Sequence, residues 1–330
     1  MSVEFVSASR AADAVACDAP LRLVDTFGRV ARDLRVSLTD RCNLRCSYCM
    51  PPEGLDWLPT EETLTDDEVV RLVRVGVERL GIRQVRFTGG EPLLRRGLEG
   101  IIEACSHLRT DEGRPLDLAL TTNALGLAKR AQGLKDAGLN RVNISLDSLD
   151  PEHFAAITRR DRLGDVLEGI EAAARAGLSP IKVNALVLRG MNEADLPDLV
   201  DYCLDRGIEL RVIEQMPIGP ADTWDRQNIM TADEILHIMS TRHTLTPAPR
   251  EDPHSPAGRW IVDGDPNKKL GVIASVSAPF CGACDRTRLT SDGMVRSCLF
   301  STEETSLRDL LRGGGDDAQI AARWADAMWA

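Results

Sequence analysis

The sequence has few aromatic residues, no long hydrophobic run and no excess of positive charge. Aromatic residues make up 4% of its 330 residues, so aliphatic side chains must fill the core that its 43% hydrophobic content allows. No stretch approaches the roughly 18 apolar residues of a membrane span. A net charge of −11 excludes binding to nucleic acid or to an anionic membrane by bulk charge. We therefore expect a cytoplasmic protein with no nucleic-acid partner and no membrane partner.

The sequence also lacks the common nucleotide-binding motifs. It contains no G-x-x-x-x-G-K-[ST], which excludes a P-loop, and no G-x-G-x-x-G, which excludes the dinucleotide-binding fingerprint. A phosphate ligand would need a local group of basic residues against this acidic background.

Short β-branched segments alternate with helical sequence over the first two thirds of the chain, and this pattern predicts a parallel sheet. The candidate strands are residues 34–39, 84–88, 118–122, 141–146, 182–188 and 210–216. Six strands are too few for a closed eight-stranded barrel. We predict an α/β fold with a partial, open, six-stranded (β/α)6 barrel of the TIM type and a small C-terminal domain.

The composition predicts three units along the chain. Residues 1–20 have no basic n-region and no long apolar run, so we expect a flexible tail rather than a signal peptide. Residues 21–245 would form the barrel. The proline-rich, polar segment "TPAPREDPHSPAG" then marks a linker or loop, and residues 246–330 would form the C-terminal domain.

One helix is predicted in detail, over residues 65–81. Thr65 and Glu68 have the spacing of a capping box, and Gly81 is a typical helix terminator. Apolar residues recur between them at helical spacing, which predicts one buried face.

Polar and special residues follow successive predicted strands. Three cysteines follow the first strand, "TGGEP" (88–92) the second, "TTN" (121–123) the third and "SLDSLD" (145–150) the fourth. Because the carboxyl ends of parallel strands lie on one rim, and active sites of barrels lie on that rim, we expect a functional site there.

The cysteines after the first strand are Cys42, Cys46 and Cys49, in the spacing Cys-x-x-x-Cys-x-x-Cys. A closed zinc site needs four ligands, and no nearby histidine supplies the fourth. A four-iron cluster is normally held by four thiolates, so three would leave one iron open to a substrate or cofactor. The count of three therefore favours a catalytic iron–sulfur cluster.

A second triplet comprises Cys281, Cys284 and Cys298. A zinc ribbon would need a second cysteine pair, and only one further cysteine is present here. The remaining cysteines are assigned no ligand role, because two of them lie in helical sequence and suit core packing; they are Cys17, Cys105 and Cys203.

Basic residues accompany the second triplet and the strands. Arginine forks match phosphate oxygens, so this group could hold a triphosphate. Its members are Arg35, Arg86, Lys182, Arg211, Arg286 and Arg288.

The first triplet, with Tyr48 before its last cysteine and Gly89-Gly90 after the second strand, resembles the radical S-adenosylmethionine (SAM) superfamily. Together with "CGACDRTRL" and "SCLF", it is similar to the MoaA family, the GTP 3′,8-cyclases of molybdenum cofactor biosynthesis. The resemblance extends from about Leu34 to Leu311.

The resemblance implies a role for each matching residue. The first [4Fe–4S] cluster would have Cys42, Cys46 and Cys49 as ligands. The second, whose open iron meets guanine, would have Cys281, Cys284 and Cys298. The implied SAM contacts are Tyr48, Gly90, Asn123, Ser145 and Met216. The implied GTP contacts are Arg35, Arg86, Thr121, Lys182, Arg211, Arg286, Thr287 and Arg288.

The resemblance also implies the reaction and its partners. A 5′-deoxyadenosyl radical would take the 3′ hydrogen of GTP, and the product would be (8S)-3′,8-cyclo-7,8-dihydroguanosine 5′-triphosphate. That product would pass to the cyclic pyranopterin monophosphate synthase. An electron donor such as flavodoxin would reduce the clusters, and the chain would form a homodimer.

The sequence departs from the family pattern at its end. The family characteristically ends in Gly-Gly, whereas this sequence ends "DAQIAARWADAMWA", which predicts a helix with Trp324 and Met328 on one face. The departure is either a truncation or a natural variation, and we expect cleavage of SAM to persist.

Two alternatives remain open at this point. A peptide-modifying radical SAM enzyme with an auxiliary cluster would share the fold, although it would usually have more C-terminal cysteines. A non-catalytic binding module stabilised by zinc is the other alternative, although both triplets have the wrong ligand count for it.

Overall fold

A computed structural model describes residues 21–219 and 224–329. Over those residues, twelve strands form one continuous sheet. The strands are β1 (Asp33–Ser37), β2 (Gln84–Thr88), β3 (Asp117–Thr122), β4 (Arg141–Ser145), β5 (Ile181–Val187), β6 (Glu209–Glu214), β7 (Leu245–Pro247), β8 (Gly258–Val262), β9 (Asp265–Ile273), β10 (Arg286–Leu289), β11 (Met294–Arg296) and β12 (Thr305–Ser306).

The six predicted strands are confirmed as β1 to β6, each within about two residues of its predicted ends. They are neighbours in chain order, and each pairs in parallel with the next. Their carboxyl ends therefore share one rim, as the sequence pattern predicts.

The sheet does not stop at these six strands. β9 pairs in parallel with β6, and β10 pairs in parallel with β1, so strands from the C-terminal part extend the sheet at both sides. The edges are β12 and β7, which do not pair with each other, so the sheet is open. Alternation within a strand predicts that it forms but not which distant strand it joins, which is why the sequence did not show this extension.

Nine helices accompany the strands within the described residues. They are α1 (Asp66–Leu80), α2 (Leu98–Ser106), α3 (Leu127–Asp136), α4 (Pro151–Thr158), α5 (Leu163–Arg175), α6 (Leu196–Asp205), α7 (Ala232–Met239), α8 (Arg308–Arg312) and α9 (Asp317–Trp329). None of these helices is long and apolar enough to cross a membrane.

The first helix confirms its predicted signals. The Thr65 hydroxyl accepts a hydrogen bond from the Glu68 N–H, the Glu68 carboxylate accepts one from the Thr65 N–H, and Gly81 has a φ of 76°. The capping box satisfies two orphan donors at the helix start, and a positive φ is costly for any residue with a Cβ.

The two faces of the parallel strands have different chemistry. In β5, Val183 and Ala185 point outward and are fully buried, whereas Lys182 and Asn184 point inward and are half-buried. Strand residues alternate between faces, so an aliphatic outer face against the helices coexists with a polar inner face. That polar inner face is where ligands can bind.

The C-terminal helix α9 packs against α1 and the neighbouring strands. Trp324 and Met328 share its buried face, at 0% and 3% exposure, which confirms the predicted pattern. Arg71 of α1 donates to Asp317 at 2.8 Å. The predicted flexible tail, residues 1–20 with Cys17, lies outside the described residues.

Candidate functional site

The first cysteine triplet lies in the loop that follows β1. Cys42 and Cys46 are half-buried, Cys49 is exposed, and all three are free thiols. The Cys49 N–H donates to the Cys46 carbonyl at 2.9 Å, which closes a tight turn. Burial raises the pKa of all three thiols, so a metal centre must displace their protons as it binds.

Arginines fasten this loop to the end of α4. Arg45 donates to the Cys42 carbonyl at 2.7 Å, and its own N–H donates to the Thr158 carbonyl at 3.0 Å. Arg159 donates to the carbonyls of Arg45 and Met50, both at 2.9 Å. These bonds fix the loop backbone and do not involve the thiols, of which Cys42 accepts a long hydrogen bond from the Asn123 amide at 3.9 Å.

Tyr48 is anchored by a buried acid that the sequence did not single out. Its hydroxyl donates to Asp147 Oδ2 at 2.9 Å, and Asp147 Oδ1 accepts from the Leu186 N–H at 2.8 Å. Burial raises the pKa of Asp147 to about 6. The repeated "SLDSLD" after β4 was the available signal for this residue.

The glycine pair lets the second loop approach the cysteine loop closely. A Cβ on Gly90 would lie 2.2 Å from the Arg41 carbonyl oxygen, and the Gly90 N–H donates to the Thr39 carbonyl at 2.7 Å. Only glycine fits such a close backbone contact. Gly90 is thereby held beside the chain that carries the three thiols.

Glu91, in the loop after β2, is hydrogen-bonded to the carboxyl end of β3. It is fully buried and accepts from the Thr122 hydroxyl at 2.6 Å and from the Asn123 N–H at 2.7 Å. Burial raises its pKa to about 7, against the lowering effect of these bonds. Asn123 in turn donates to Asn43 at 2.8 Å, so the predicted SAM residue Asn123 is fixed against the cysteine loop.

The remaining predicted SAM residues belong to the same rim. Ser145 is the last residue of β4, and Met216 lies two residues after β6 and lines the central cavity. The structure therefore places all five predicted SAM residues at or beside the carboxyl ends of the strands.

The second triplet lies at the opposite end of the sheet. Cys284 precedes β10, whose first residue, Arg286, is in register with Asp33, the first residue of β1. Cys281 forms a tight turn with Cys284, whose N–H donates to its carbonyl at 3.1 Å. Cys298 follows β11, which is antiparallel to β10, so all three cysteines share the amino-terminal rim.

A buried acid at the end of β6 positions the segment that leads to Cys281. Glu214 is fully buried and accepts from the N–H groups of Val276 and Ser277, both at 2.8 Å, and from Ala232 at 2.7 Å. The predicted sixth strand contained Glu214, but its role could not be seen from the sequence because its partners lie 18 residues away in Ala232 and 62 and 63 residues away in Val276 and Ser277.

Neither triplet forms a site for a single metal ion. Within the residues that the structure describes, no three Cys, His, Asp or Glu side chains converge as ligands of one ion. In a four-iron cluster each thiolate binds a different iron, so the three thiolates of a triplet can hold such a cluster without converging on one ion. This donor set fits the predicted iron–sulfur clusters.

A cavity of ≈ 1060 Å³ runs between the two rims along the inner faces of the strands. Eleven of its lining residues are Lys or Arg and four are Asp, so the cavity is cationic although the protein is strongly acidic. The predicted GTP residues that line it are Arg35, Arg86, Lys182, Arg211, Arg286 and Arg288.

Several of these cations have buried N–H groups with no hydrogen-bond partner. Arg86 has two buried nitrogens with no hydrogen-bond partner. The Nε atoms of Arg35 and Arg286 also make no hydrogen bond, although both side chains form ion pairs with Asp33. Burial, with Arg35 and Arg141 nearby, holds the pKa of Arg86 well below its usual value. Burial, with Arg35 and Arg286, lowers that of Arg288 to about 10. Buried guanidinium N–H groups without a hydrogen-bond acceptor are costly, and an anionic ligand would satisfy them.

Two predicted GTP residues are not among those that line the cavity. Thr287 alternates with Arg286 and Arg288, so its fully buried side chain faces the opposite side of β10 and its hydroxyl accepts from the Trp324 indole at 3.2 Å. Thr121 is on the inner face of β3, closer to the carboxyl rim.

Comparison with protein families divides the chain into two matching parts. Residues 36–203 match the radical SAM superfamily, and residues 208–330 match the family described as molybdenum cofactor synthesis C. The chain is 59% identical to the GTP 3′,8-cyclase of Corynebacterium glutamicum over 93% of this chain and 82% of that protein. It is 57% identical to GTP 3′,8-cyclase 2 of Mycobacterium bovis over 93% of this chain and 85% of that one.

The chain belongs to the GTP 3′,8-cyclase family of the radical SAM superfamily. The resemblance read from its motifs is therefore confirmed. Iron–sulfur clusters and SAM, the cofactors that the resemblance implies, follow from membership in this family.

A solved structure of low sequence identity has a similar overall fold. Streptococcus suis SuiB bound to S-adenosylmethionine matches with a TM-score of 0.60 and 15% identity, over 90% of this chain and 68% of that one. At that identity the likeness shows the fold, an α/β radical SAM fold with an open sheet, and does not bear on the substrate.

The cavity of this GTP 3′,8-cyclase family member contains polar residues that the sequence analysis missed. Arg141 begins β4 and donates to Asp117 at 2.6 Å, and Arg259 on β8 lies 3.3 Å from Glu209. Asn143 also lines the cavity. The inward position of a strand was the available signal for Arg141 and Asn143, whereas Arg259 follows the segment predicted to be a linker or loop, where no strand was predicted.

Proposed function

We propose that this chain converts GTP to (8S)-3′,8-cyclo-7,8-dihydroguanosine 5′-triphosphate, the first step of molybdenum cofactor biosynthesis. The observation that carries the proposal is the cationic cavity between two three-cysteine rims. One rim carries the glycine pair and the residues predicted to contact SAM, and the other carries β10 with its R-T-R motif. A ligand with a base at one end and phosphates near the arginines that have unsatisfied N–H groups would span this cavity.

The first rim would bind the first cluster and SAM. Cys42, Cys46 and Cys49 would ligate three irons. The SAM contacts would come from Tyr48, Gly90, Asn123, Ser145 and Met216. Asp147 and Glu91 would position these residues, because each is buried and bonded to one of them.

The second rim and the cavity would bind GTP. Cys281, Cys284 and Cys298 would ligate the second cluster, which leaves one iron for the guanine base. The triphosphate would lie among Arg35, Arg86, Lys182, Arg211, Arg286 and Arg288. Thr121 and Thr287 would also contact GTP, although less extensively, because their side chains do not line the cavity.

When bound, the reduced first cluster and SAM would supply a 5′-deoxyadenosyl radical that takes the 3′ hydrogen of GTP. The side chains of this protein have a positioning role in that reaction. Cations at the phosphates and a ligated base fix the ribose at both ends, and such orientation lowers the entropic part of the barrier.

The finer architecture and the partners belong to the same proposal. Strands β1 to β6 would form the partial barrel of residues 21–245, and residues 246–330 a C-terminal domain that binds the second cluster and GTP. The enzyme would act in the cytoplasm as a homodimer. It would receive electrons from a donor such as flavodoxin and pass its product to the cyclic pyranopterin monophosphate synthase.

Deuterium transfer tests this function directly. The reconstituted, reduced protein is given SAM and GTP deuterated at C3′, and 5′-deoxyadenosine is analysed by mass spectrometry. We expect deuterium in 5′-deoxyadenosine from this substrate and none from GTP deuterated at C2′. Unlabelled 5′-deoxyadenosine from the C3′-deuterated substrate would contradict the proposal.

A further inference from the structure

The loop that follows β6 rests on the loop that carries the first cysteine triplet. Gly219, in the loop after β6, has a φ of 108°, a conformation that favours glycine. A Cβ on Gly219 would overlap the Tyr48 carbonyl oxygen and would lie 3.5 Å from the Cys49 Cα atom. The backbone of Gly219 is therefore packed against the peptide group that joins Tyr48 to Cys49.

The cysteine loop is fixed on both sides of this contact. Arg159 donates to the carbonyls of Arg45 and Met50, both at 2.9 Å, and the Tyr48 hydroxyl donates to Asp147 at 2.9 Å. A tightly packed contact accepts an added methyl group only if one of its two sides shifts. Because the cysteine loop is held by these bonds, an added Cβ would displace the loop after β6 instead.

The loop after β6 also carries a residue predicted to contact SAM. Met216 precedes Gly219 in this loop and lines the central cavity. The two are joined by a tight turn, in which the Ile218 N–H donates to the Met216 carbonyl at 2.8 Å. A displacement of Gly219 would therefore move Met216 relative to the three cysteines.

We propose that Gly219 is a positioning residue of the SAM site. Its contact with the peptide group between Tyr48 and Cys49 holds Met216 close to the first triplet, and thus to SAM bound there. This inference rests on the proposed function, because it requires the first cluster and SAM at that rim. Gly219 acts by close packing alone, since it has no side chain with which to touch SAM.

The test is equilibrium dialysis of SAM against the anaerobically reconstituted, unreduced protein. In Gly219→Ala we expect SAM affinity to fall roughly 5- to 150-fold, the scale of overpacking a tight contact. Bound iron should stay at about eight atoms per chain, and GTP affinity measured without SAM should be unchanged. In the reduced protein, the change that SAM causes in the electron paramagnetic resonance spectrum should require a correspondingly higher SAM concentration.

The matched control is Gly264→Ala, in the turn between β8 and β9. Gly264 has a φ of 74°, so an alanine there is also strained, but its Cβ would meet no atom within 4 Å. This variant should keep its SAM affinity, iron content and GTP affinity. Gly219 is itself in an exposed loop, so its substitution should not prevent folding.

Four results would overturn the inference. One is unchanged SAM affinity in Gly219→Ala, and another is an equal loss of SAM affinity in Gly264→Ala, which would assign the effect to backbone strain. Equal losses of SAM and GTP affinity in Gly219→Ala would show a general loosening of the fold. Loss of about four irons per chain would show that the contact is needed for the cluster itself.

The outcome also separates this inference from the function on which it rests. If the unmodified protein transfers deuterium from C3′ of GTP and Gly219→Ala binds SAM equally well, the inference fails while the proposed function stands. If the unmodified protein binds no SAM at all, both fail.

Discussion

The indole Nε1 of Trp324 donates a hydrogen bond to the Thr287 hydroxyl at 3.2 Å, and both side chains are fully buried. Trp324 lies on α9, and Thr287 lies on β10 between the two arginines of the R-T-R motif. Arg286 and Arg288 point from the other side of that strand into the cavity. The C-terminal helix therefore fixes the strand that carries two of the cations proposed to bind GTP.

Removal of the Trp324 side chain should weaken both the fold and the GTP site. Trp324→Ala should lower the free energy of unfolding by about 3–5 kcal/mol, the usual cost of deleting a buried aromatic residue. Trp324→Phe keeps most of the packing and loses the hydrogen bond, so it should lower the free energy of unfolding by about 1 kcal/mol. Denaturant titration measures both changes, and GTP affinity should fall more in Trp324→Ala because β10 can then shift.

The control for this pair is Trp329→Ala. Trp329 lies on the same helix but is 58% exposed, so its removal should change the unfolding free energy by less than about 0.5 kcal/mol. Equal effects of the two alanine variants would contradict the role assigned to Trp324.

Loss of one cysteine of the first triplet should abolish SAM cleavage. In Cys46→Ala, 5′-deoxyadenosine should fall to background, and bound iron should fall from about eight to about four atoms per chain, because each four-iron cluster needs its thiolates. Cys203→Ala is the matched control, since Cys203 is buried in α6 away from both rims. Normal cleavage by Cys46→Ala would refute the assignment of the first cluster.

Loss of Arg288 should weaken GTP binding without affecting SAM. Its guanidinium lines the cavity, and a charge-assisted contact to phosphate contributes about 1–3 kcal/mol, so Arg288→Ala should weaken GTP roughly 5- to 150-fold. Arg296 is its register partner on β11, but Arg296 pairs with Glu304 at the surface. Arg296→Ala should leave GTP affinity unchanged, and unchanged affinity in Arg288→Ala would remove that residue from the site.

GTP affinity should fall as the pH rises above about 8. Burial, together with the nearby Arg211, lowers the pKa of Lys182 to about 8. The lysine is cationic below that pH, and bound triphosphate favours the cation and raises its pKa. Between the pKa of Lys182 in the free protein and its higher pKa in the GTP complex, the affinity for GTP should fall by up to tenfold per pH unit. Lys182→Arg should flatten this profile, whereas an identical profile would exclude Lys182 as the cause.

Local sequence signals predicted much of this fold. Short β-branched segments between helical patterns located β1 to β6, because such side chains favour strands and bury an aliphatic face against the helices. The capping box at Thr65 and Glu68 and the positive φ of Gly81 fixed both ends of α1, because these signals act within a few residues. The rim positions of Cys42 and Gly90 followed from the parallel order of the strands.

Long-range relationships could not be predicted in this way. Nothing near β9 or β10 indicates that they extend the sheet on opposite sides. The motif match grouped Thr287 with its neighbours, although the alternation of β10 turns it toward Trp324. Asp147 and Glu214 are buried acids whose partners lie tens of residues away, so only the folded chain reveals that they position the two rims.

The most direct test of the central claim is a single anaerobic assay. The reconstituted, reduced protein is incubated with SAM, with and without GTP, and 5′-deoxyadenosine and GTP are quantified by mass spectrometry. The cyclase account predicts strong stimulation of SAM cleavage by GTP, with GTP converted to an isomer of the same mass. Cleavage of SAM that is indifferent to GTP, with the GTP left intact, would contradict it.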